Sequence, residues 1–214
     1  MNLTMKNVCY AYKNNASHQV LNNINYDFEI GKVYAICGPS GCGKTTILSL
    51  LAGLDTPQSG QIYLNNIDIK QQGYRTHRKD NITIIFQNYN LIDYMTPIEN
   101  LRLVQKNAPG SLLIELGIDP KDFKRNVLQL SGGQQQRVAI ARSLASPAPF
   151  ILADEPTGNL DEENATVIMD IFKKLANTQN KGIIIVTHSK SVAKLADVTL
   201  ALSKNGLKVL NKSK

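Results

Sequence analysis

Tryptophan is absent from this chain, and only three of its 214 residues are cysteine. Cys9, Cys37 and Cys42 have neither the paired spacing of a zinc site nor the pattern of a disulfide framework, so reduced thiols are expected. No stretch reaches the roughly 20 apolar residues that a membrane-spanning helix needs. The longest apolar runs, "GIIIV" and "FILA", are strand-sized. The opening "MNLTMKNVCY" lacks the basic-then-apolar layout of a signal peptide. Low-complexity tracts and internal repeats are missing as well. These absences predict a soluble, intracellular chain.

The formal net charge of +7 is moderately basic, but the basic residues are scattered. They fall at Arg75, Arg78 and Lys79, at Lys121, Lys124 and Arg125, and at Lys204, Lys208, Lys212 and Lys214. A nucleic-acid surface needs basic residues clustered on one face with aromatics between them, so no nucleic-acid partner is expected. A solvated surface fits best, and proximity to an anionic membrane comes second. With 43% hydrophobic residues, the chain can build one sizeable core with a small lobe, not two equal domains.

Two kinds of strand pattern are present. "INYDFEI" alternates, with Ile24, Tyr26, Phe28 and Ile30 on one side, as in an antiparallel strand buried on one face. Segments 3–10 and 61–69 also suggest strands, the second broken at Asn65-Asn66. By contrast, 33–37, 82–86, 150–154 and 182–186 are nearly continuous apolar runs, as in a parallel sheet covered on both faces. Helical patterns run over 161–176 and 134–146, the latter stopped by Pro147. Residues 88–130 hold short helical pieces punctuated by Pro97, Pro109, Gly110, Gly117 and Pro120. They predict a helical subdomain inserted into an α/β core made of 1–87 and 131–214. His18 and His77 belong to no motif and are expected at the surface.

"GPSGCGKT" fits G-x-x-x-x-G-K-[ST] in full, follows an apolar strand and opens a helix, as a phosphate-binding loop must. Its glycines let successive backbone N–H groups surround phosphate oxygens, and the helix N-terminus adds positive potential. The candidate nucleotide-binding residues are Gly38, Pro39, Ser40, Gly41, Cys42, Gly43, Lys44, Thr45 and the adjoining Thr46. Lys44 would reach the β- and γ-phosphates, and Thr45 would ligate Mg²⁺. A guanine-reading N/T-K-x-D tetrapeptide is absent, which favours ATP. A thiol at Cys42, near Lys44 and a helix N-terminus, is expected to react readily; the plainer reading is a small residue in place of Ser or Ala. "FILADEP" adds Asp154 at a strand end for the metal and Glu155 as a general base. A second anion site, Ser131, Gly132 and Gly133 in "LSGGQ", has no lysine or metal ligand of its own.

With "LSGGQ" lying between the phosphate loop and the acidic strand, the chain resembles the nucleotide-binding subunits of ABC transporters, from about Leu3 to Leu210. The resemblance implies a P-loop NTPase (RecA-like) α/β core with an antiparallel β subdomain and a small inserted helical subdomain. It implies ATP and Mg²⁺ as cofactors, membrane-spanning permease subunits as partners, and a peripheral place on the cytoplasmic face of the membrane. In that family Ser131, Gly132, Gly133 and Gln134 would close over the γ-phosphate of ATP held by a second copy, giving a head-to-tail homodimer. Tyr12 in "YAYK" matches the aromatic that stacks on adenine, with Tyr10 competing for the role. Gln87 in "IIFQN" matches the glutamine that approaches Mg²⁺ and the attacking water. Asp161 in "GNLD" matches the aspartate that contacts the opposite subunit, and His188 in "IIIVTH" the histidine that bonds the γ-phosphate.

"PTGNLD" resembles the group of macrolide exporters, lipoprotein-releasing complexes, antimicrobial-peptide exporters and a cell-division ATPase. An exporter or peptide-resistance system is expected; a signalling ATPase without cargo is the alternative. The C-terminal regulatory domain of sugar importers is not expected. Residues 101–127 lack the long charged helices common in that lobe, which leaves the membrane partner open.

Overall fold

Alternating and continuous apolar segments fold into two different sheets. The computed structural model describes residues 1–12, 19–203 and 206–212, so His18, Lys204 and Lys214 lie outside the described residues. Strands β1 (Asn2–Ala11) and β2 (Gln19–Glu29) pair antiparallel, with Leu3 opposite Phe28 and Met5 opposite Tyr26. In β2, Ile24 and Phe28 are buried while Asn25, Asp27 and Glu29 are exposed, as period-two alternation dictates, and a register shift beside Asn23 (φ 47°) brings Leu21 to the buried side. After β3 (Val33–Cys37) and helix α1 (Lys44–Leu51), β4 (Ser59–Leu64) and β5 (Ile67–Asp68) complete this sheet in the order β2-β1-β4-β5. Asn65 and Asn66, at φ 49° and 66°, make the left-handed two-residue turn between them.

The second sheet is the core. The chain continues through α2 (Ile69–Gln72), α3 (Tyr74–Asp80), β6 (Ile82–Ile85), α4 (Pro97–Arg102), α5 (Ser111–Glu115) and α6 (Gly132–Leu144). Then follow β7 (Phe150–Asp154), α7 (Glu162–Gln179), β8 (Gly182–Val186), α8 (Lys190–Leu195), β9 (Val198–Ser203) and β10 (Gly206–Lys212). Strand order is β10-β9-β3-β8-β7-β6, parallel except for the β10 edge. Val33, Ala35, Ile151, Ala153, Ile183 and Ile185 face one apolar cluster with α6, α7 and α8. Tyr34, Ile36, Phe150, Leu152, Ile184 and Val186 face another with α1 and the antiparallel sheet. Both faces are dry, which is why these strands read as unbroken apolar runs. No helix among the described residues is long and apolar enough to cross a membrane.

Between 88 and 130 the chain forms α4, α5 and two 3₁₀ turns, Pro120–Asp122 and Val127–Gln129. Thr96 and Glu99 form a capping box on α4, with Pro97 in its first turn. Leu101, Leu113, Ile118 and Val127 from this segment join the core cluster of α6.

Two expectations need correcting. His77 is fully buried, not at the surface: its Nε2 lies 2.9 Å from the carbonyl oxygen of Leu51 at the end of α1. It satisfies a terminal helix carbonyl, a role no motif announces. Helix α6 starts at Gly132, two residues before the periodic pattern, because Ser131 caps it.

Candidate functional site

The parallel strands converge at their carboxyl ends, where α/β sheets place ligands. There β3 runs into the phosphate loop, β7 ends in Asp154, β8 is followed by Thr187 and His188, and β6 is followed by Gln87. A cleft of about 570 Å³ is lined by Tyr12, Val20, Ser40, Gly41, Gly43, Lys44, Thr45, Thr46, Gln87, Asp154, Glu155, Val186 and His188. Residues from six separate stretches of sequence meet in it. Gly38, Pro39 and Cys42 do not line the cleft. Cys42 is half-buried and packs against the core, its Sγ 2.7 Å from where a Cβ on Gly38 would stand.

Gly43 sits at φ 100° directly before α1, and a Cβ there would strike Val20 and Leu21 at 2.9 and 2.8 Å. Only glycine takes this turn at no cost. The helix it opens has no side-chain cap and no acid in its first turn, so its leading N–H groups stay free for an anion. Lys44 folds back, its Nζ donating to the carbonyl oxygens of Gly38 at 2.9 Å and Pro39 at 3.1 Å. Tyr12 is half-exposed, and its hydroxyl lies 2.8 Å from that of Thr46. Tyr10 is buried edge-on against Tyr12 and does not line the cleft.

Thr45, Asp154 and Gln87, which carry hydroxyl, carboxylate and amide oxygens, line the same cleft. Burial pushes the Asp154 carboxyl up from its ordinary value, and a hydrogen bond with the Thr45 side chain offsets part of that. A half-buried carboxylate with hard oxygen donors around it and room for water suits Mg²⁺. No cluster of three or more His, Cys, Asp or Glu side chains that could hold a metal ion occurs among the described residues.

Glu155 is unusual in both backbone and side chain. Its φ of 48° is rare for a residue with a Cβ and marks local strain. Its carboxylate, whose side chain is only 12% exposed, is held from two sides. Oε1 accepts from the His188 N–H at 3.0 Å and from Nδ1 at 2.8 Å, and Oε2 accepts from the Thr187 hydroxyl at 3.2 Å. A carboxylate only accepts, so the His188 proton sits on Nδ1 and Nε2 is left to solvent. Sequence reasoning missed Thr187; the "VTH" context holds it, but a buried threonine at a strand end carries no signal of its own.

The "LSGGQ" residues lie elsewhere. Ser131 and Gln134 form a reciprocal capping box on α6: Oγ of Ser131 accepts from the Gln134 N–H at 3.3 Å, and Oε1 of Gln134 accepts from the Ser131 N–H at 2.9 Å. A Cβ on Gly132 would come within 3.1 Å of the Tyr89 hydroxyl. Ser131, Gly132, Gly133 and Gln134 line no part of the phosphate-loop cleft. Neither does Asp161, which caps α7 by accepting from the Asn164 N–H at 2.8 Å. That hydrogen bond holds the Asp161 carboxyl below its usual range.

Together the fold and the cleft define a P-loop nucleotide-binding protein. Comparison with known proteins narrows this. Residues 21–158 match the model of the ABC transporter family. An ABC transporter ATP-binding protein of Bacillus subtilis, YclH, is 40% identical over 97% of this chain and 96% of its own length. The lipoprotein-releasing system ATP-binding protein LolD of Cytophaga hutchinsonii is 37% identical over 87% of this chain and 90% of its own. The ABC transporter cassette MJ0796 of Methanocaldococcus jannaschii has been solved as a dimer and as a dimeric post-hydrolysis state with ADP and Pi. These superpose with TM-scores of 0.87 and 0.86, at 34% identity over 99% of this chain and 98% of theirs. The chain belongs to the ABC transporter family, as an ATP-binding cassette.

Proposed function

We propose that this chain is the ATPase of a membrane exporter or antimicrobial-peptide resistance system. It works as a head-to-tail homodimer on membrane-spanning permease subunits, at the cytoplasmic face. What carries the reading is the separation of two phosphate-binding helix N-termini: one opens into a cleft with a lysine and acids, and the other lies outside that cleft with neither. A second copy supplies what each half lacks, and a two-fold arrangement closes on itself. The dimers solved for MJ0796 support the assembly, its ADP and Pi complex supports hydrolysis, and the likeness to LolD supports the exporter side.

Each residue then has a task. Lys44 exchanges its two loop carbonyls for the β- and γ-phosphates, while the uncapped N–H groups of α1 bind phosphate oxygens. Tyr12 stacks on the adenine. Thr45, Asp154 and Gln87 would hold Mg²⁺, which would neutralise phosphate charge. Glu155 accepts the proton of the attacking water, with Thr187 and His188 fixing its carboxylate. Nε2 of His188 is free to face the γ-phosphate. From the opposing chain, Ser131, Gly132 and Gly133 close over that phosphate, and Asp161 meets the partner.

Replacing Glu155 with Gln tests this reading. Loss of a general base lowers kcat by about 10²–10⁴-fold, and the ATP-loaded variant should run as a dimer by size-exclusion light scattering. A monomer under saturating ATP and Mg²⁺ contradicts the shared site. Co-purification of the membrane subunit identifies the transport system.

A further inference from the structure

Helix α6 begins at the "LSGGQ" turn, yet its side chains grip both loops that carry this chain's own reacting groups. Arg142 donates to the carbonyl oxygens of Asn90 at 2.7 Å and Tyr89 at 3.2 Å, and Ser143 Oγ to that of Ile84 at 3.2 Å, on either side of Gln87. Gln136 reaches the other loop. It is 1% exposed, and its Nε2 donates to the carbonyl oxygens of Pro156 and, at 3.2 Å, of Glu155. Its Oε1 has no partner among the described residues. The amide is therefore oriented to serve two carbonyls at the cost of its own acceptor. One of them belongs to the residue held at φ 48°. A strained backbone persists only where its surroundings over-determine it, and Gln136 is the side chain that does so from α6. Five residues of helix, about 7.5 Å of rise, separate it from Ser131.

We propose that Gln136 is a positioning residue for hydrolysis. From the signature helix it holds the left-handed backbone of Glu155, so that the carboxylate stays aimed, and a movement of α6 at its "LSGGQ" end is felt at Glu155 of the same chain. This rests on the composite-site reading above. Gln136 touches neither nucleotide nor water; it acts through Glu155.

Gln136→Met and Gln136→Lys separate this role from simple packing. Methionine keeps the volume and removes the donor. Lysine keeps a donor that two backbone carbonyls can hold, as Lys181 shows against Ser146 and Ala148 at 2.8 and 2.7 Å. In steady-state ATPase assays, methionine should lower kcat tenfold or more with KM for ATP within twofold of wild type. Lysine should recover activity above the methionine level. In a Glu155→Gln background, methionine should change the residual single-turnover rate less than twofold, because two residues acting through one group are not additive. A wild-type kcat for methionine, a methionine variant more active than lysine, or an undiminished effect in the Glu155→Gln background each overturns the proposal. If methionine does not fold, the lysine variant decides: folded with kcat below a tenth of wild type, it overturns the proposal, and above that, it supports it. Failure of the underlying reading looks different: the wild type itself neither dimerises on ATP nor hydrolyses it.

Discussion

Helix α1 follows Gly43 and helix α6 opens on Gly132 and Gly133, but their N-terminal ends are treated in opposite ways. At the start of α1, Gly43 offers no cap and the first turn has no acid. At the start of α6, Ser131 and Gln134 already engage each other's backbone N–H groups. The far end of α1 is held by α3, through His77 to the Leu51 carbonyl and Arg78 to that of Gly53. Beyond α6, the carbonyls of Ser146 and Ala148 are held by the ammonium of Lys181. An uncapped N-terminus is tolerated where an anion completes it, and the cleft around α1 is also lined by Lys44, Thr45, Gln87 and Asp154. A capped N-terminus keeps its shape without a ligand and gains only a few remaining contacts from one. On the proposed reading, this difference separates a primary phosphate site at α1 from half of a second at α6.

The sharpest way to break this comparison is to alter α6 without harming its cap. Aspartate caps as well as serine, so Ser131→Asp should leave the melting temperature near that of wild type. Its charge would repel the partner-held γ-phosphate, and losing such stabilisation costs about 10²–10³-fold in kcat, read by ATPase assay. ATP binding to the isolated chain, followed with a fluorescent analogue, should be retained. Equal loss of binding would place Ser131 on its own chain's nucleotide and dissolve the contrast. At the other helix, Lys44→Ala removes a charge-assisted hydrogen bond of about 1.5–3 kcal/mol. ATP affinity should fall about 10–100-fold by titration, with folding intact. Unchanged affinity would mean that the loop carbonyls, not phosphates, are the true partners of Lys44.

What was legible in the sequence follows the same division. The phosphate loop, the acidic pair and the dry strands were readable because their chemistry fixes residue type and spacing locally. The runs at 33–37, 150–154 and 182–186 coincide with β3, β7 and β8. Helix α6 was placed late because Gly132 and Gly133 carry no apolar period; the Ser-x-x-Gln capping box was the available signal. The hairpin of β9 and β10 was not anticipated, although "VTLALS" alternates as such a strand should. The hold on Glu155 by Thr187, His188 and Gln136 was illegible because residues 19 to 33 positions away meet it only in three dimensions. His77 failed for the opposite reason: a lone histidine between charged neighbours reads as surface, and only the helix end beneath it shows otherwise.

That buried histidine gives α1 a sensitivity to acid at the end remote from the cleft. Burial, more than the Leu51 hydrogen bond offsets, holds its pKa below the ordinary 6.5, and the neighbouring Arg78 adds to the lowering. Above about pH 6.5 the ring is neutral in both folded and unfolded chains and adds no pH dependence. As pH falls below that value, the unfolded chain takes up a proton that the folded chain resists, so stability is lost until the folded ring itself titrates. Among the described residues, Nδ1 has no acceptor waiting for that proton. A His77→Gln variant keeps an amide donor for the Leu51 carbonyl and removes the titration. Between pH 7.5 and 5.5 its melting temperature should fall less than that of wild type, by about 2–4 °C for each kcal/mol of linkage removed. Parallel melting curves across that range would show that the ring charges in the folded state as readily as in the unfolded one. The end of α1 would then be held as indifferently to acid as the carbonyls beyond α6.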